Sequence, residues 1–281
     1  MTVPAPAPGV VARTLVRAAH PGPTLAVTAI ATALAVAVGR GPSGVLLVAL
    51  TVLSGQLSIG WCNDLVDRDR DRASARADKP LATGALPPAA VAWACAVTSM
   101  ACIPLSLANG VAAGLAHLVL VASGWAYNLG VKRTVASPLP YAVSFGLLPA
   151  VVTLGLPGSP WPPLWAILGG SLLGVGAHGV NVLPDFDDDL ATGVRGLPQR
   201  LGRRTTRMAA AAVLLIASVV LAVGPGRVDA VAVGGLLAVG LALGAGVAAP
   251  GPARSRAPFT VAVVVALVDV ALLLARGGAL T

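Results

Sequence analysis

Charged and aromatic side chains are scarce in this sequence of 281 residues. Charged residues make up 11% of the chain and aromatic residues 4%, against 56% hydrophobic residues and a mean hydropathy of +0.85. So low a charged share excludes an ordinary soluble domain. The few aromatic rings leave little to sandwich a ring-shaped ligand or to stabilise a cation through π contacts.

Cysteine is also rare, with three residues in the whole chain. Cys62, Cys95 and Cys102 lie inside or beside apolar segments. Their number is odd, and their spacing matches neither a metal site nor the disulfide framework of a secreted protein. We therefore interpret them as small apolar packing residues.

Long apolar segments occupy most of the chain. A membrane-spanning helix needs about 20 apolar residues, and nine segments approach that length. They fall at roughly 21–39, 43–63, 87–108, 110–129, 137–156, 162–184, 206–224, 228–249 and 257–275. The sequence thus predicts an all-α, multi-pass membrane protein whose residues 1–281 form one bundle of about nine transmembrane helices. We expect the first segment to be an uncleaved helix rather than a signal peptide, because it is long enough to span.

The basic residues predict the orientation of this bundle. Only three of the 19 lysines and arginines, Arg40, Arg227 and Arg276, fall on the side opposite the N-terminus. This asymmetry predicts a cytoplasmic N-terminal segment at 1–20, cytoplasmic loops at 64–86 and 185–205, and a C-terminus outside the cell. The net charge of +8 lies in short loops, where topology and anionic lipid headgroups explain it better than nucleic acid does. We expect the lipid bilayer as a partner, with no nucleic acid, and we predict no protein partner.

All eleven acidic residues are aspartates, and nine of them lie in residues 64–78 and 185–189. Within each cluster, three aspartates have the spacing of one helical face, whereas Asp187 points elsewhere. Carboxylates this dense repel one another unless a cation or basic groups lie between them. Hard divalent cations such as Mg²⁺ take carboxylate ligands together with substrate phosphates, so we predict a metal site; a solvated acidic loop is the alternative. The predicted metal ligands are Asp64, Asp67 and Asp71 of the first cluster and Asp185, Asp188 and Asp189 of the second.

Basic residues on the same side of the membrane are candidate phosphate donors. Lys132 is one, although an interfacial flank beside Trp125 and Tyr127 would also explain it. Lys79 belongs to a polar loop that is either a cap over the pocket or a plain connector, and Arg195 follows the second cluster.

Polar residues inside the apolar segments are candidate pocket residues. Gln56 precedes Asn63 by two helical turns, while His178 and Asn181 share the face of Asp185. Interhelical hydrogen bonds are the alternative role for His178 and Asn181. Asp269, near the middle of the last segment, is too costly there unless it is protonated, paired or facing water.

The two clusters resemble the motifs of one family. Residues 63–71, N-D-L-V-D-R-D-R-D, match N-D-x-x-D-R-x-x-D through Asn63, Asp64, Asp67, Arg68 and Asp71. Asp185, Asp188 and Asp189 match D-x-x-D-D, followed by G-V-R-G-L-P-Q-R-L-G. With the separation of the motifs and the nine apolar segments, the chain resembles the UbiA superfamily of intramembrane prenyltransferases.

This resemblance implies that both motifs bind Mg²⁺, which binds an isoprenoid diphosphate whose tail lies among the helices. The isoprenyl group would then pass to a lipophilic, often aromatic, acceptor, with release of diphosphate. His178 is the one candidate base. The expected catalytic residues are Asp64, Asp67, Asp185, Asp189 and Lys132, and the expected diphosphate contacts are Asn63, Arg68, Lys79, Lys132 and Arg195.

Some features depart from the family pattern and keep other functions open. Lys79-Pro80 stands where many relatives have Arg-Pro, and Tyr127 precedes Lys132 by five residues instead of four. Together with the few aromatic residues, this leaves a terpene cyclase acting on the same diphosphate as an alternative. A transporter is a third reading, but the predicted clusters share one membrane face rather than the midplane.

Overall fold

The computed structural model describes residues 8–74, 76–248 and 257–281. Its long elements in these ranges are α-helices, and the ranges contain no strand. Each of the nine predicted apolar segments coincides with one helix. The helices are α1 (Pro8–Ala18), α2 (Pro21–Ala37), α3 (Pro42–Ala73), α4 (Pro88–Leu107), α5 (Val111–Leu129), α6 (Leu139–Thr153), α7 (Leu164–Val182), α8 (Phe186–Ala191), α9 (Leu197–Leu201), α10 (Arg203–Val223), α11 (Ala230–Ala248) and α12 (Ala257–Ala275).

The helices confirm an all-α membrane architecture. Among the described residues, α3, α4, α5, α7 and α10 are long and apolar enough to cross a membrane, and a sixth span results if α1 and α2 count as one bent segment. The helix α6 and the apolar parts of α11 and α12 are shorter. A count of nine crossings, and the predicted orientation, therefore stay predictions.

The helix that carries the first aspartate cluster, α3, and the helix that precedes the second cluster, α7, each pack against several others. In α3, one face contacts α2 while other faces contact α4 and α5, and α7 packs between α6 and α10. The contact between α5 and α6 joins these two groups, and α12 lies against α2, α7, α10 and α11. Glycine allows α6 and α7 to approach closely: a Cβ added at Gly170 would lie 2.6 Å from the carbonyl oxygen of Phe145.

The turn between α1 and α2 is fixed against α3. The axes of the two helices differ by 70°, and His20, at the turn, has a left-handed backbone with φ of 52°. Gly60 of α3 lies under this turn, where a Cβ would come 2.5 Å from the carbonyl oxygen of Ala19. The close approach brings His20 beside Asp64, one helical turn further along α3.

The predicted loops are partly helical. The helix α3 continues through the first cluster to Ala73, so residues 64–73 of the predicted 64–86 loop belong to it. The predicted loop at 185–205 contains α8, α9 and the start of α10. Of the predicted N-terminal segment 1–20, residues 1–7 lie outside the described residues and 8–18 form α1.

Candidate active site

A cavity of about 600 Å³ lies between α2, α3, α5, α6, α7, α10 and α12. One end is polar and charged, and most of the remaining wall is apolar. The charged and amide side chains of the polar end are Asn63, Asp67, Arg70, Asp71, Arg76, Asp78, Lys79, Asn128, Lys132, Asp185, Asp189 and Gln199. Both aspartate clusters, far apart in sequence, therefore contribute to one cavity, as the sequence predicts.

Asp67 is the most densely contacted carboxylate of the first cluster. Lys132 Nζ lies 2.5 and 2.6 Å from its two oxygens, and Arg70 Nη2 and Asn63 Nδ2 donate to Oδ2 at 3.0 and 3.1 Å. Lys132 comes from the 3₁₀ turn Val131–Arg133 after α5. Both partners of the Lys132–Asp67 pair are buried, which strengthens their attraction.

Asp64 lies one turn before Asp67 and has different partners. Lys79 Nζ is 2.7 Å from Asp64 Oδ1, and His20 Nε2 is 3.0 Å from the same oxygen. Asp64 Oδ2 is buried and has no hydrogen-bond partner among the described residues. His20 and Lys79 both line the cavity and cover the buried Asp64.

Two arginines connect the clusters. Arg70 Nη1 lies 3.5 Å from Asp189 Oδ1, and Arg76 Nη1 lies 3.2 Å from Asp185 Oδ1. Gln199 Nε2 also donates to Asp189 Oδ2 at 2.8 Å. Burial raises the pKa of Asp189 to about 6.

Of the other members of the acidic segments, Asp187 and Asp188 lie outside the wall of the main cavity, whereas Asp78 is part of it. Asp187 is 60% exposed and pairs with Arg203 at 2.9 Å. Asp188 is exposed and lines a smaller pocket beside the cavity. Asp78, next to Lys79, accepts two bonds from Arg76, which lower its pKa to about 2.

The chemistry of the donors fits Mg²⁺, although their arrangement is not that of an assembled metal site. Among the described residues, no three acidic, histidine or cysteine side chains converge on one point; the carboxylates pair with lysine and arginine instead. The donors are all carboxylate oxygens, which hard divalent cations prefer, and Asp64 Oδ2 is a buried acceptor in need of a partner.

Two predicted phosphate contacts lie outside the cavity wall that the described residues form. Arg68 pairs with the exposed Asp69 at 2.9 Å, which lies on the face of α3 opposite Asp64 and Asp71, so the guanidinium of Arg68 is directed away from the cavity. Arg195 is exposed. The guanidinium groups that do line the cavity are those of Arg70 and Arg76. Arg70 follows Asp67 by three residues, a spacing from which its position could have been predicted.

Three of the four predicted pocket residues line the cavity, and one does not. Gln56, Tyr127 and Asn181 line the cavity. His178 instead lies behind the rings of Tyr127 and Tyr141, with centroid distances of 5.6 and 4.9 Å, and its Nε2 contacts Ser137 Oγ at 3.1 Å. It is thus poorly placed to be the base that the sequence suggested.

Several cavity residues were not among the predicted site residues. His20 has no motif around it, and Gln199 lies in the short helix α9. Asn128 donates to the carbonyl oxygen of Ile59 and accepts from Asn63 at 3.1 Å. Tyr141 contacts Tyr127 edge to face at 5.2 Å and stacks on Phe145 at 6.4 Å. Both tyrosines of the chain and one of its three phenylalanines therefore line this cavity.

A model of the UbiA prenyltransferase family matches residues 24–275. The chain belongs to this family. The match runs from the first turn of α2 to the end of α12 and contains both aspartate clusters. Membership agrees with the resemblance that the two motifs carry.

Individual relatives are distant. A lycopene elongase/hydratase from Haloferax volcanii is 30% identical over 200 residues, an alignment that covers 70% of this chain and 65% of the relative. A UbiA homologue from Archaeoglobus fulgidus bound to GPP and Mg²⁺ superposes with a TM-score of 0.69 at 17% identity, over 95% of this chain and 99% of that one. The same homologue bound to DMAPP and Mg²⁺ gives 0.73 at 16% identity, over 95% and 98%. These similarities establish the fold.

Proposed function

We propose that the protein is a Mg²⁺-dependent intramembrane prenyltransferase, which moves an isoprenyl group from an isoprenoid diphosphate to a lipophilic acceptor and releases diphosphate. The observation that carries this proposal is the division of the cavity into a charged end and an apolar remainder. An isoprenoid diphosphate has the same division, with a charged head and a hydrocarbon tail. The binding of GPP and DMAPP with Mg²⁺ by the homologue from Archaeoglobus fulgidus supports the proposal.

The charged end would bind and stabilise the diphosphate. As the allylic C–O bond breaks, negative charge develops on the leaving diphosphate, and donors fixed in advance around it lower the barrier. Lys132, Arg70, Arg76 and Lys79 are the cations that line this end. Each of them already contacts a carboxylate, so its side chain is held near the position where a phosphate oxygen would lie.

The aspartates would hold the metal ion. Its charge, when bound, would neutralise part of the diphosphate and assist its departure. The aspartates proposed for this role are Asp64, Asp67, Asp71, Asp185, Asp188 and Asp189, of which Asp67, Asp71, Asp185 and Asp189 line the main cavity.

The aromatic side chains next to the charged end would protect the allylic cation. Tyr127, Tyr141 and Phe145 line the cavity and present π faces and edges, which favour a nearby cation. They also exclude water, which would otherwise capture the cation before the acceptor does. The proton that the acceptor loses would leave through a group at the same end, for which His178 is less well placed than His20.

The acceptor has two candidates. The resemblance to the superfamily favours an electron-rich aromatic ring. The relative from Haloferax volcanii is named for an action on lycopene, which favours a polyene hydrocarbon whose terminal double bond attacks the allylic carbon. The chain spans 65% of that relative's length, and both acceptors would occupy the same apolar region.

Diphosphate release by the purified protein in detergent or lipid tests the proposal. Geranyl, farnesyl and geranylgeranyl diphosphates are supplied with Mg²⁺ or EDTA, first alone and then with an aromatic or polyene acceptor. Release that requires both Mg²⁺ and an acceptor is expected, with mass spectrometry identifying the prenylated product. Metal-dependent release without an acceptor, accompanied by a hydrocarbon or alcohol product, would instead support a terpene cyclase. No release under any of these conditions would contradict both functions.

A further inference from the structure

Asp269 is an acidic residue that the proposed chemistry does not use. It lies near the middle of α12 and is fully buried. Within the part of the chain that the structure describes, neither carboxyl oxygen has a hydrogen-bond partner. A buried carboxyl group without a partner is costly in an apolar environment, so a role in ligand binding would explain its position.

The carboxyl group belongs to the wall of the cavity. Val263, Ala266, Val270 and Leu273 line it from α12 at the spacing of one helical face, and Asp269 lies on the edge of that face and lines the cavity too. The walls that face α12 in this part of the cavity are apolar. Asp269 is therefore an acidic group within the hydrocarbon part of the cavity. The apolar residues that line the cavity from other helices include Leu34, Leu148, Leu173, Leu214 and Leu221.

The helices around α12 do not supply a donor in the residues described. Ser218 on α10 is close enough to the carboxyl group for its hydroxyl to interact with it, but a hydroxyl has one proton, and that of Ser218 is donated to the carbonyl oxygen of Leu214 at 2.9 Å. The described side chains of α11, residues 230–245, are apolar. A donor for Asp269 would therefore have to come from a molecule in the cavity.

Asp269 is far from the charged end. Its neighbour Ser218 follows Arg203 by 15 residues on α10, which corresponds to about 22 Å along the helix axis. Arg203 pairs with Asp187 in the second aspartate cluster. A molecule that reaches from the clusters to Asp269 must be a chain of several isoprene units.

We propose that Asp269 forms a hydrogen-bonding subsite for a hydroxyl group at the distal end of a long isoprenoid substrate. This inference rests on the proposed function, because it takes the charged end as the site of the diphosphate. The ligand class is an isoprenoid diphosphate that carries an O–H donor on its terminal isoprene unit. A water molecule bound to the carboxyl group is the other source of an O–H donor, and the experiment below distinguishes the two.

Pairs of substrates that differ by one hydroxyl test the subsite. Farnesyl and geranylgeranyl diphosphates are each compared with the analogue that carries a hydroxyl on the terminal isoprene unit. In the wild-type protein, the hydroxylated member of at least one pair should have the higher kcat/KM, by about ten-fold, the contribution expected of one hydrogen bond. Asp269→Leu should abolish this preference, and Asp269→Asn, which keeps a carbonyl acceptor, should retain part of it.

Ser218→Ala provides the matched control. It removes the polar neighbour of Asp269 without changing the carboxyl group, and it should leave the preference intact. The subsite is refuted by the absence of a preference at both lengths, by a preference that survives Asp269→Leu, or by its equal loss in Ser218→Ala. An equal loss of kcat/KM for both members of a pair in Asp269→Leu would also refute it and would assign the carboxyl group to a bound water.

Thermal stabilisation of the protein by the same four compounds measures binding without turnover. A larger increase in Tm with the hydroxylated member, lost in Asp269→Leu, would support the subsite even if no product forms. In that case the proposed transfer reaction fails while the subsite stands, because the subsite requires only that the diphosphate binds at the charged end. If the unmodified diphosphates are turned over but the hydroxyl changes neither the rate nor the Tm, the proposed function stands and the subsite is refuted.

Discussion

The ammonium group of Lys132 contacts both carboxylate oxygens of Asp67, at 2.5 and 2.6 Å, and both side chains are buried. The two residues are 65 positions apart in the chain, so this pair fixes the end of α5 to the C-terminal part of α3. Removal of one partner from a buried pair leaves an uncompensated charge, which costs more than the pair itself contributes.

Lys132→Met should therefore destabilise the protein, by about 2–3 kcal/mol, since Arg70 and Asn63 still contact Asp67. Adding Asp67→Asn should recover much of this loss because the remaining charge is removed. Thermal unfolding of the two single variants and the double variant measures the coupling. Additive losses would show that the two side chains do not interact as described.

Arg70 and Arg68 form a natural pair for testing which guanidinium binds the substrate. Arg70 lines the cavity, whereas Arg68 pairs with exposed Asp69. Arg70→Gln should raise the KM for the isoprenoid diphosphate about ten- to a hundred-fold, the effect of losing a charge-assisted hydrogen bond. Arg68→Gln should change KM less than about two-fold. Equal effects in steady-state assays would contradict the placement of these two residues.

The second cluster offers a similar comparison between two aspartates. Asp185 lines the cavity, while Asp187 faces away and pairs with Arg203. Asp185→Asn should reduce Mg²⁺-dependent turnover about 100-fold or more and raise the Mg²⁺ concentration needed for half-maximal rate. Asp187→Asn should retain most of the activity at the same Mg²⁺ concentration. A Mg²⁺ titration of each purified variant decides, and near-normal turnover in Asp185→Asn would remove that residue from the site.

The apolar end of the cavity should determine the length of the isoprenoid. Ala266 lies on the cavity face of α12, whereas Ala271 on the same helix is exposed. Ala266→Phe should lower kcat/KM for geranylgeranyl diphosphate relative to geranyl diphosphate about ten-fold, because the new ring fills space that the longer tail needs. Ala271→Phe should leave this ratio unchanged. An unaltered ratio in Ala266→Phe would place the tail elsewhere.

An ion pair near the C-terminus predicts a pH dependence of stability. Arg276 is buried and donates two hydrogen bonds of 2.7 Å to Asp229, which lower the pKa of Asp229 to about 2. Since the pKa in the unfolded chain is about 4, the stabilisation is complete above about pH 4 and is lost as the pH falls towards 2. The Tm of the wild type should thus fall more steeply below about pH 4 than that of Asp229→Asn. Parallel curves would show that the pair contributes nothing.

The sequence predicts those features that repeat along the chain. Nine apolar segments coincide with nine helices, and the spacing of Asp64, Asp67 and Asp71 correctly predicts one buried face of α3. These predictions succeed because hydrophobicity and helical periodicity are local properties. Which helices cross the membrane, and in which direction, depends on surroundings that local pattern describes only in part.

The residues that sequence reasoning missed or misplaced depend on contacts between distant elements. His20 reaches Asp64 only because the turn after α1 packs on Gly60. No local sequence pattern predicts this contact between distant parts of the chain. Arg68 has the motif position, but its guanidinium pairs with the exposed Asp69 instead of a cavity group. The partner of Asp269, which the sequence does not identify, is likewise absent from the described side chains.

The pairing of every cavity cation with an aspartate has a consequence for how an anion could enter. If the proposed function is correct, a diphosphate without a metal ion would have to separate Lys79, Lys132, Arg70 and Arg76 from their carboxylates. Those carboxylates would then be buried without a neutralising charge, which is costly. A diphosphate that arrives with its own divalent counter-ion allows an exchange of partners, after which the total buried charge has hardly changed. Binding of the anion and binding of the metal would then be coupled: each would increase the affinity of the cavity for the other by the same factor.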